Sequence, residues 1–253
     1  MEFFHQQGAI SILRIFLLVG SGAVVGVWCE RVARAYAGVL AGGGEADAAT
    51  LRAALRQALC RFGTAPGNLA QGVQGWLAGS ACAALLAASF VRLYVLHGDT
   101  FYFLGLAAAT AMLLMLALID ARTRLLPDAL TLPLLWLGIV LAWSGHGPDL
   151  RIAIAGAMLG YGILWLLFWL FKALSGREGM GYGDFKLLAA LGAWLGWRPL
   201  VSVLFVACVV GVLFAMGRQR TLTPTGAYPF GPFLAAAGIA ALMTGSVVHS
   251  YFW

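Results

Sequence analysis

The stretch Gly-Met-Gly-Tyr-Gly-Asp-Phe-Lys, residues 179–186, joins a glycine-rich turn to the start of an apolar segment, with the carboxylate of Asp184 at the junction. A second carboxylate, Asp120, ends another apolar segment sixty-four residues earlier. The 253-residue chain is 62% hydrophobic and only 10% charged, whereas a soluble domain carries about 25% charged residues. Ionisable side chains are costly at membrane depth and are candidate functional residues there. The two aspartates therefore predict a carboxylate pair.

Eight apolar runs follow one another along the chain, and most are long enough for a helix to cross a hydrocarbon core of about 30 Å. They are residues 9–28, 76–96, 101–119, 129–143, 152–174, 185–197, 200–216 and 230–248. The fourth and sixth runs are short, as is tolerated where a helix lines a wet cavity. We expect an all-α, polytopic membrane protein with about eight transmembrane helices. The first run lacks a small-residue cleavage site, so we expect an uncleaved anchor.

The Lys and Arg residues are distributed unequally between the two sides of the predicted bundle. With the N-terminus outside, twelve of the sixteen lie on the cytoplasmic side. Because cytoplasmic loops carry the excess of basic residues in membrane proteins, we predict this orientation. It brings Asp120 and Asp184 to the cytoplasmic side. It also explains the net charge of +6 without a nucleic-acid partner, so the expected surroundings are the lipid bilayer.

The predicted domains are a first transmembrane helix at 1–28, a cytoplasmic loop at 29–75 and a seven-helix membrane core at 76–253. No other predicted loop is as long as the one at 29–75.

Within that loop, Leu51, Leu55 and Leu59 recur every four residues, and Thr50 is a suitable helix N-cap. This spacing predicts an amphipathic helix. It lies either on the cytoplasmic membrane surface or against the helix bundle.

A carboxylate pair can hydrolyse a peptide bond when one partner is ionised and the other protonated. Two close carboxylates in a poorly solvated site favour this shared-proton state. Gly179, Gly181 and Gly183 would form an active-site loop without Cβ atoms, so that an extended peptide can approach Asp184.

Simpler interpretations stay open at this point. A glycine-rich loop is often only a turn, and Asp184 and Asp128 both stand where a helix N-cap would stand. Asp120 is harder to explain as a structural residue, because a negative charge at a helix C-terminus opposes the helix dipole. A proton- or ion-coupled transporter would use the same aspartates.

Three motifs resemble those of the type IV prepilin peptidases, which are aspartic proteases of the bacterial inner membrane. Residues 176–197 resemble the Gly-x-Gly-Asp motif region of that family, residues 119–128 its first aspartate motif, and residues 228–235 its last-helix signature. The resemblance covers about residues 101–248. It implies that Asp120 and Asp184 are the catalytic aspartates.

The resemblance also implies the substrates. These are type IV prepilins and type II secretion pseudopilins, cut on the cytoplasmic side after a glycine that follows basic residues. Asp128 and Glu178 are candidate contacts for the basic leader, with helix capping and a solvated loop position as their simpler alternatives. A homologue that binds prepilins without cutting them is a further alternative.

The N-terminal third departs from the bifunctional members of the family. Those members carry Gly-Ser-Phe-Leu-Asn in the first helix and two Cys-x-x-Cys pairs, associated with zinc and N-methylation. Here Gly20-Ser21 is followed by Gly22-Ala23-Val24, and the predicted loop holds only Cys29 and Cys60. Because zinc needs four ligands, we expect no zinc, no other metal and no cofactor. Methylation with S-adenosylmethionine is in doubt.

Overall fold

The structure is a computed structural model that describes residues 2–45, 47–60, 69–98, 100–176, 180–220 and 228–244, with side chains from residue 13 in the first helix and from residue 75 in the third. Over these residues it is all-α, as predicted, and has nine helices. They are α1 (Glu2–Ala41), α2 (Ala48–Cys60), α3 (Leu69–His97), α4 (Phe101–Thr123), α5 (Asp128–Trp143), α6 (Leu150–Ser175), α7 (Tyr182–Leu195), α8 (Trp197–Gln219) and α9 (Gly231–Thr244). Each predicted apolar run coincides with one helix, and α2 is the additional one.

Five helices are long and apolar enough to cross a membrane, namely α1, α3, α4, α6 and α8. The chain is therefore a polytopic membrane protein. Helices α5, α7 and α9 have 16, 14 and 14 residues. At 1.5 Å per residue they span about 21 to 24 Å, less than a hydrocarbon core of about 30 Å. The five long helices account for five of the eight predicted transmembrane helices, and the other three would have to be α5, α7 and α9.

Helix α1 is longer than its apolar run indicated. It continues without a break through Cys29 and Glu30 to Ala41, so the boundary predicted at residue 28 falls inside a helix. Glu, Arg and Ala are good helix formers, and Glu30 is paired with Arg34 one turn later. The helix therefore extends beyond the end of the hydrophobic pattern. The connection from α1 to α3 is shorter than the predicted loop at 29–75.

The predicted amphipathic helix is α2, and it packs against α1. Leu51 is buried together with Ala54, whereas Leu59 is 58% exposed. Thr50 was the wrong choice of N-cap, because the helix begins earlier, at Ala48. The Oδ1 atom of Asp47 instead accepts the backbone N–H of Thr50 at 2.8 Å. Of the two placements left open, the contact with the bundle is the one observed.

Helix α7 occupies the centre of the membrane core and contacts α5, α6, α8 and α9. Nearly all of its residues from Asp184 to Trp194 are buried. Gly156 of α6 and Gly192 of α7 meet backbone to backbone, so that a Cβ atom on either would overlap the other helix. Small residues permit such close approach between helices in a membrane. On the opposite side, Trp194 Nε1 donates to the carbonyl oxygen of Leu134 in α5 at 2.9 Å.

Candidate active site

The two predicted aspartates come together at one end of the bundle. Asp120 lies in the last turn of α4 and is 4% exposed, and Asp184 lies in the first turn of α7 and is 8% exposed. The two side chains lie within electrostatic range of each other. Asp184 is not the N-cap of α7, because Gly181 occupies that position. The helix-cap alternative therefore does not explain the Asp184 side chain.

The start of α9 forms the wall against which Asp120 lies. The backbone N–H of Gly231, the first residue of α9, faces the Asp120 carboxylate. A Cβ atom at Gly231 would lie 2.6 Å from Asp120 Oδ2 and 2.9 Å from its Cγ. Asp120 therefore lies at the negative end of the α4 dipole but also at the positive end of the α9 dipole. The second dipole offsets the unfavourable effect of the first on the carboxylate. Among the described residues, Oδ2 itself is buried and accepts no hydrogen bond.

Gly231 is a site residue that the sequence reasoning missed. The signal was present, since Gly231 lies within the motif at residues 228–235. The motif alone did not show which of its residues touches an aspartate.

The connection between α4 and α5 crosses the start of α7. It leaves α4 through Arg124, whose φ of 56° is left-handed and whose backbone N–H donates to the carbonyl oxygen of Asp120 at 2.8 Å. It then presses Leu126 against Gly183, where a Cβ atom would lie 2.8 Å from the Leu126 Cβ. The missing side chain of Gly183 thus makes room for Leu126, and the approach of a substrate backbone at this glycine stays a prediction.

Gly181 differs from Gly183, because a Cβ atom there would meet nothing within 4 Å. The open space beside it agrees with the expected approach of an extended peptide. Gly179 and Glu178, the other loop residues named from the sequence, lie outside the described residues.

Asp128 pairs with Lys186 across the mouth of the site. Lys186 Nζ donates to both Asp128 carboxylate oxygens at 2.7 Å and thereby ties the start of α5 to the first turns of α7. Pro127 is the N-cap of α5, and Asp128 is its first residue, where a negative charge is favoured by the helix dipole. The side chain of Asp128 is 54% exposed, so the pair is accessible to water.

Aromatic rings of α6 and α7 cluster around Phe185, the residue that follows Asp184. Phe185, the next residue, is fully buried. Its ring centroid lies 5.7 Å from that of Phe168, 5.4 Å from that of Tyr182 and 5.8 Å from that of Tyr161. These ring contacts fix the first turn of α7, which carries Asp184, against α6.

The two cysteines of the predicted loop, Cys29 and Cys60, have different surroundings. Cys29 is buried between α1 and α4, with its Sγ 3.7 Å from the carbonyl oxygen of Ala111, and Cys60 is exposed at the end of α2. Across the described part of the chain, no three His, Cys, Asp or Glu side chains are grouped closely enough to hold an ion. A structural zinc site uses four ligands, usually Cys or His, and the predicted loop supplies two cysteines and no histidine, so the absence of zinc stays a prediction.

Comparison with known proteins matches residues 107–216 to the type IV leader peptidase family. The chain is 48% identical over 166 residues to a prepilin leader peptidase/N-methyltransferase of Burkholderia pseudomallei (64% of this chain, 52% of that protein). It is 50% identical over 145 residues to one of Aeromonas salmonicida (56% and 50%) and 46% identical over 169 residues to one of Dichelobacter nodosus (66% and 58%).

The chain spans about half the length of these curated relatives. No solved structure matches it. The matched segment contains Asp120, Asp184 and all of α5, α6 and α7, the helices between and around the two carboxylates. Through this core of residues 107–216, which holds both carboxylates, the chain is similar to the type IV leader peptidase family.

Proposed function

We propose that this protein is an aspartic endopeptidase that removes the leader peptide of type IV prepilins or type II secretion pseudopilins. The observation that carries the proposal is the interacting, buried pair of Asp120 and Asp184 at the ends of α4 and α7. The pair lies in the segment that matches the family, and the relatives named as prepilin leader peptidases support the class of substrate.

The chemistry needs only the two carboxylates and one water molecule. The ionised carboxylate takes a proton from water, the resulting hydroxide attacks the peptide carbonyl, and the protonated carboxylate hydrogen-bonds to the carbonyl oxygen. Asp120 Oδ2, which no described residue hydrogen-bonds, is free to hold the shared proton or the water. The acid and base roles belong to the pair, which titrates as a unit.

The proposed cut falls on the cytoplasmic side of the bacterial inner membrane, after a glycine that follows basic residues. The unequal distribution of Lys and Arg supports this side. Asp128 is our candidate contact for a basic leader residue, with Glu178 as a second. Because Lys186 already binds Asp128, a leader cation has to displace Lys186 to reach that carboxylate. Asp128→Asn is then expected to raise KM for the prepilin while leaving kcat nearly unchanged.

We further propose that this chain needs no zinc and no S-adenosylmethionine and does not methylate its product. Support comes from the absence of Cys-x-x-Cys pairs and from the burial of Cys29 between two helices. Chelators should leave cleavage unchanged, and the processed pilin should carry a free N-terminal amine.

One measurement tests these proposals together. The protein in lipid nanodiscs is incubated with a prepilin, and the product is weighed by mass spectrometry. We expect loss of the leader and no added methyl group. Asp120→Asn and Asp184→Asn should each lower kcat by at least about 100-fold, as expected for loss of acid–base catalysis. Asp149→Asn is the matched control, since Asp149 caps the distant start of α6 and asparagine caps equally well.

The outcomes separate the alternatives. An aspartate variant that cuts at nearly the wild-type rate refutes the catalytic pair. Prepilin that binds but stays intact indicates the inactive homologue, and proton flux into liposomes without proteolysis indicates a transporter. A product heavier by one methyl group refutes the methylation proposal alone.

A further inference from the structure

A third buried carboxylate, Glu30, lies on α1 close to the end of α4. We propose that Glu30 is a positioning residue that fixes the orientation of Asp120 by clamping the last turn of α4 through Arg122. This inference rests on the proposed function, since it assigns Asp120 to the reaction.

The clamp is an ion pair that joins two helices far apart in sequence. Glu30 is 1% exposed, and its Oε1 accepts a hydrogen bond from Arg122 Nη2 at 2.7 Å. Its Oε2 accepts from Arg34, one turn further along α1. Both oxygens of the buried carboxylate are thereby used, as a charge removed from water requires.

Arg122 is held at its other end by its own helix. Its Nη1 donates to the carbonyl oxygen of Leu118 at 3.2 Å, so the guanidinium lies folded along the last turn of α4. A guanidinium with several hydrogen bonds has a defined direction as well as a charge. The Glu30–Arg122 pair therefore fixes the rotation of this turn and not merely its distance from α1.

Asp120 lies on the opposite face of the same turn. At 3.6 residues per turn, side chains two positions apart are rotated by about 200°. One face of the turn is thus fixed to α1 through Arg122, and the other meets the start of α9 at Gly231. Release of the Arg122 face lets the turn rotate and withdraws the Asp120 carboxylate from Asp184.

A buried ion pair is weak grounds for a stabilising role, because desolvation offsets most of the attraction between the charges. Glu30 also lies in the part of the chain outside the matched residues 107–216. In this proposal α1 contributes no reacting group and acts only by positioning the end of α4 that carries Asp120.

The test uses Glu30→Gln, Arg122→Gln, the double variant and Arg34→Gln as the control. Arg34 also pairs with Glu30 but lies on α1 itself, so its loss does not release α4. Arg122 is 27% exposed, so Glu30→Gln does not strand a fully buried cation. We expect kcat per folded molecule to fall about 10- to 100-fold in both single variants, as for a displacement near 1 Å. KM should stay unchanged, the double variant should be no worse than either single one, and Arg34→Gln should cut like the wild type.

A second readout does not depend on cleavage. A spin label on Thr123→Cys, in a background with the exposed Cys60 and Cys208 changed to alanine, reports the mobility of the end of α4. Mobility should rise in Glu30→Gln and Arg122→Gln and not in Arg34→Gln.

Unchanged mobility, a rise in KM without a change in kcat, or additive losses in the double variant would overturn the clamp. A wild-type protein that does not cut prepilin counts against the proposed function instead, and the mobility measurement still decides about the clamp.

Discussion

Replacement of Gly231 by alanine tests the wall behind Asp120 with a single methyl group. The added Cβ would lie 2.6 Å from Asp120 Oδ2, whereas ordinary contacts of this kind begin at 3.4 Å, so about 0.8 Å has to be absorbed. The shift falls on the carboxylate or on the start of α9, and it moves the Asp120 carboxylate relative to the Gly231 backbone. Because a misplacement near 1 Å costs about 100-fold in rate, we expect kcat for prepilin cleavage to fall about 10- to 100-fold.

Stability should change much less than activity in this variant. Alanine is favoured over glycine in a helix by about 1 kcal/mol, and a local overlap costs about 1 to 3 kcal/mol. These two terms partly cancel, so folded protein should still be recovered from the membrane. Cleavage is measured by product mass in nanodiscs, and folding by thermal unfolding of the same samples.

Gly162→Ala is the matched control for Gly231→Ala. Gly162 lies in α6, and a Cβ atom there meets nothing within 4 Å. This variant should cut at the wild-type rate and be no less stable. If Gly231→Ala cuts at more than half the wild-type rate, or if its loss of activity only follows a loss of folded protein, then the contact between α9 and Asp120 does not govern catalysis.

Three further predictions concern the scaffold and its orientation. Gly160→Ala puts a Cβ atom 2.5 Å from the carbonyl oxygen of Leu188 and should lower the free energy of unfolding by about 1 to 3 kcal/mol, read from unfolding in mixed micelles. Trp194→Phe removes a 2.9 Å hydrogen bond and should cost about 0.5 to 1.5 kcal/mol in the same assay, whereas an unchanged midpoint would mean that the bond contributes nothing. A cysteine at Thr123 should be labelled from the cytoplasmic side and one at His97 from outside; the opposite labelling would reverse the proposed orientation.

The hydrophobic pattern predicted the helices well because each apolar run must form a helix to satisfy its backbone in a membrane. It failed at the end of α1, where the helix continues through charged residues that pair with one another. Hydropathy cannot detect this, since it measures affinity for lipid and not whether a charge has a partner.

The pairing of Asp120 with Asp184 was predictable from two independent arguments. The distribution of Lys and Arg placed both residues on the same side of the membrane, and the motifs implied that both are catalytic. The residues that surround this pair could not be predicted from the sequence. Gly231 and Glu30 contact the end of α4 from helices remote in sequence, and Lys186 pairs with Asp128 across 58 residues. Such contacts depend on the rotation and crossing angle of each helix. Packing between helices sets these angles, and the hydrophobic periodicity of a single helix does not. For the same reason the sequence did not show that Leu126 packs against Gly183.

The contact between Asp120 and α9 also bears on when the protein becomes active during its synthesis. Both aspartates are present once α7 has been made, but the Gly231 backbone that lies against Asp120 is added only with α9. A chain halted after α8 therefore holds two acids without the wall that orients one of them. The proposed peptidase site is therefore complete only once α9 is in place, and we expect a chain halted after α8 to leave prepilin uncut.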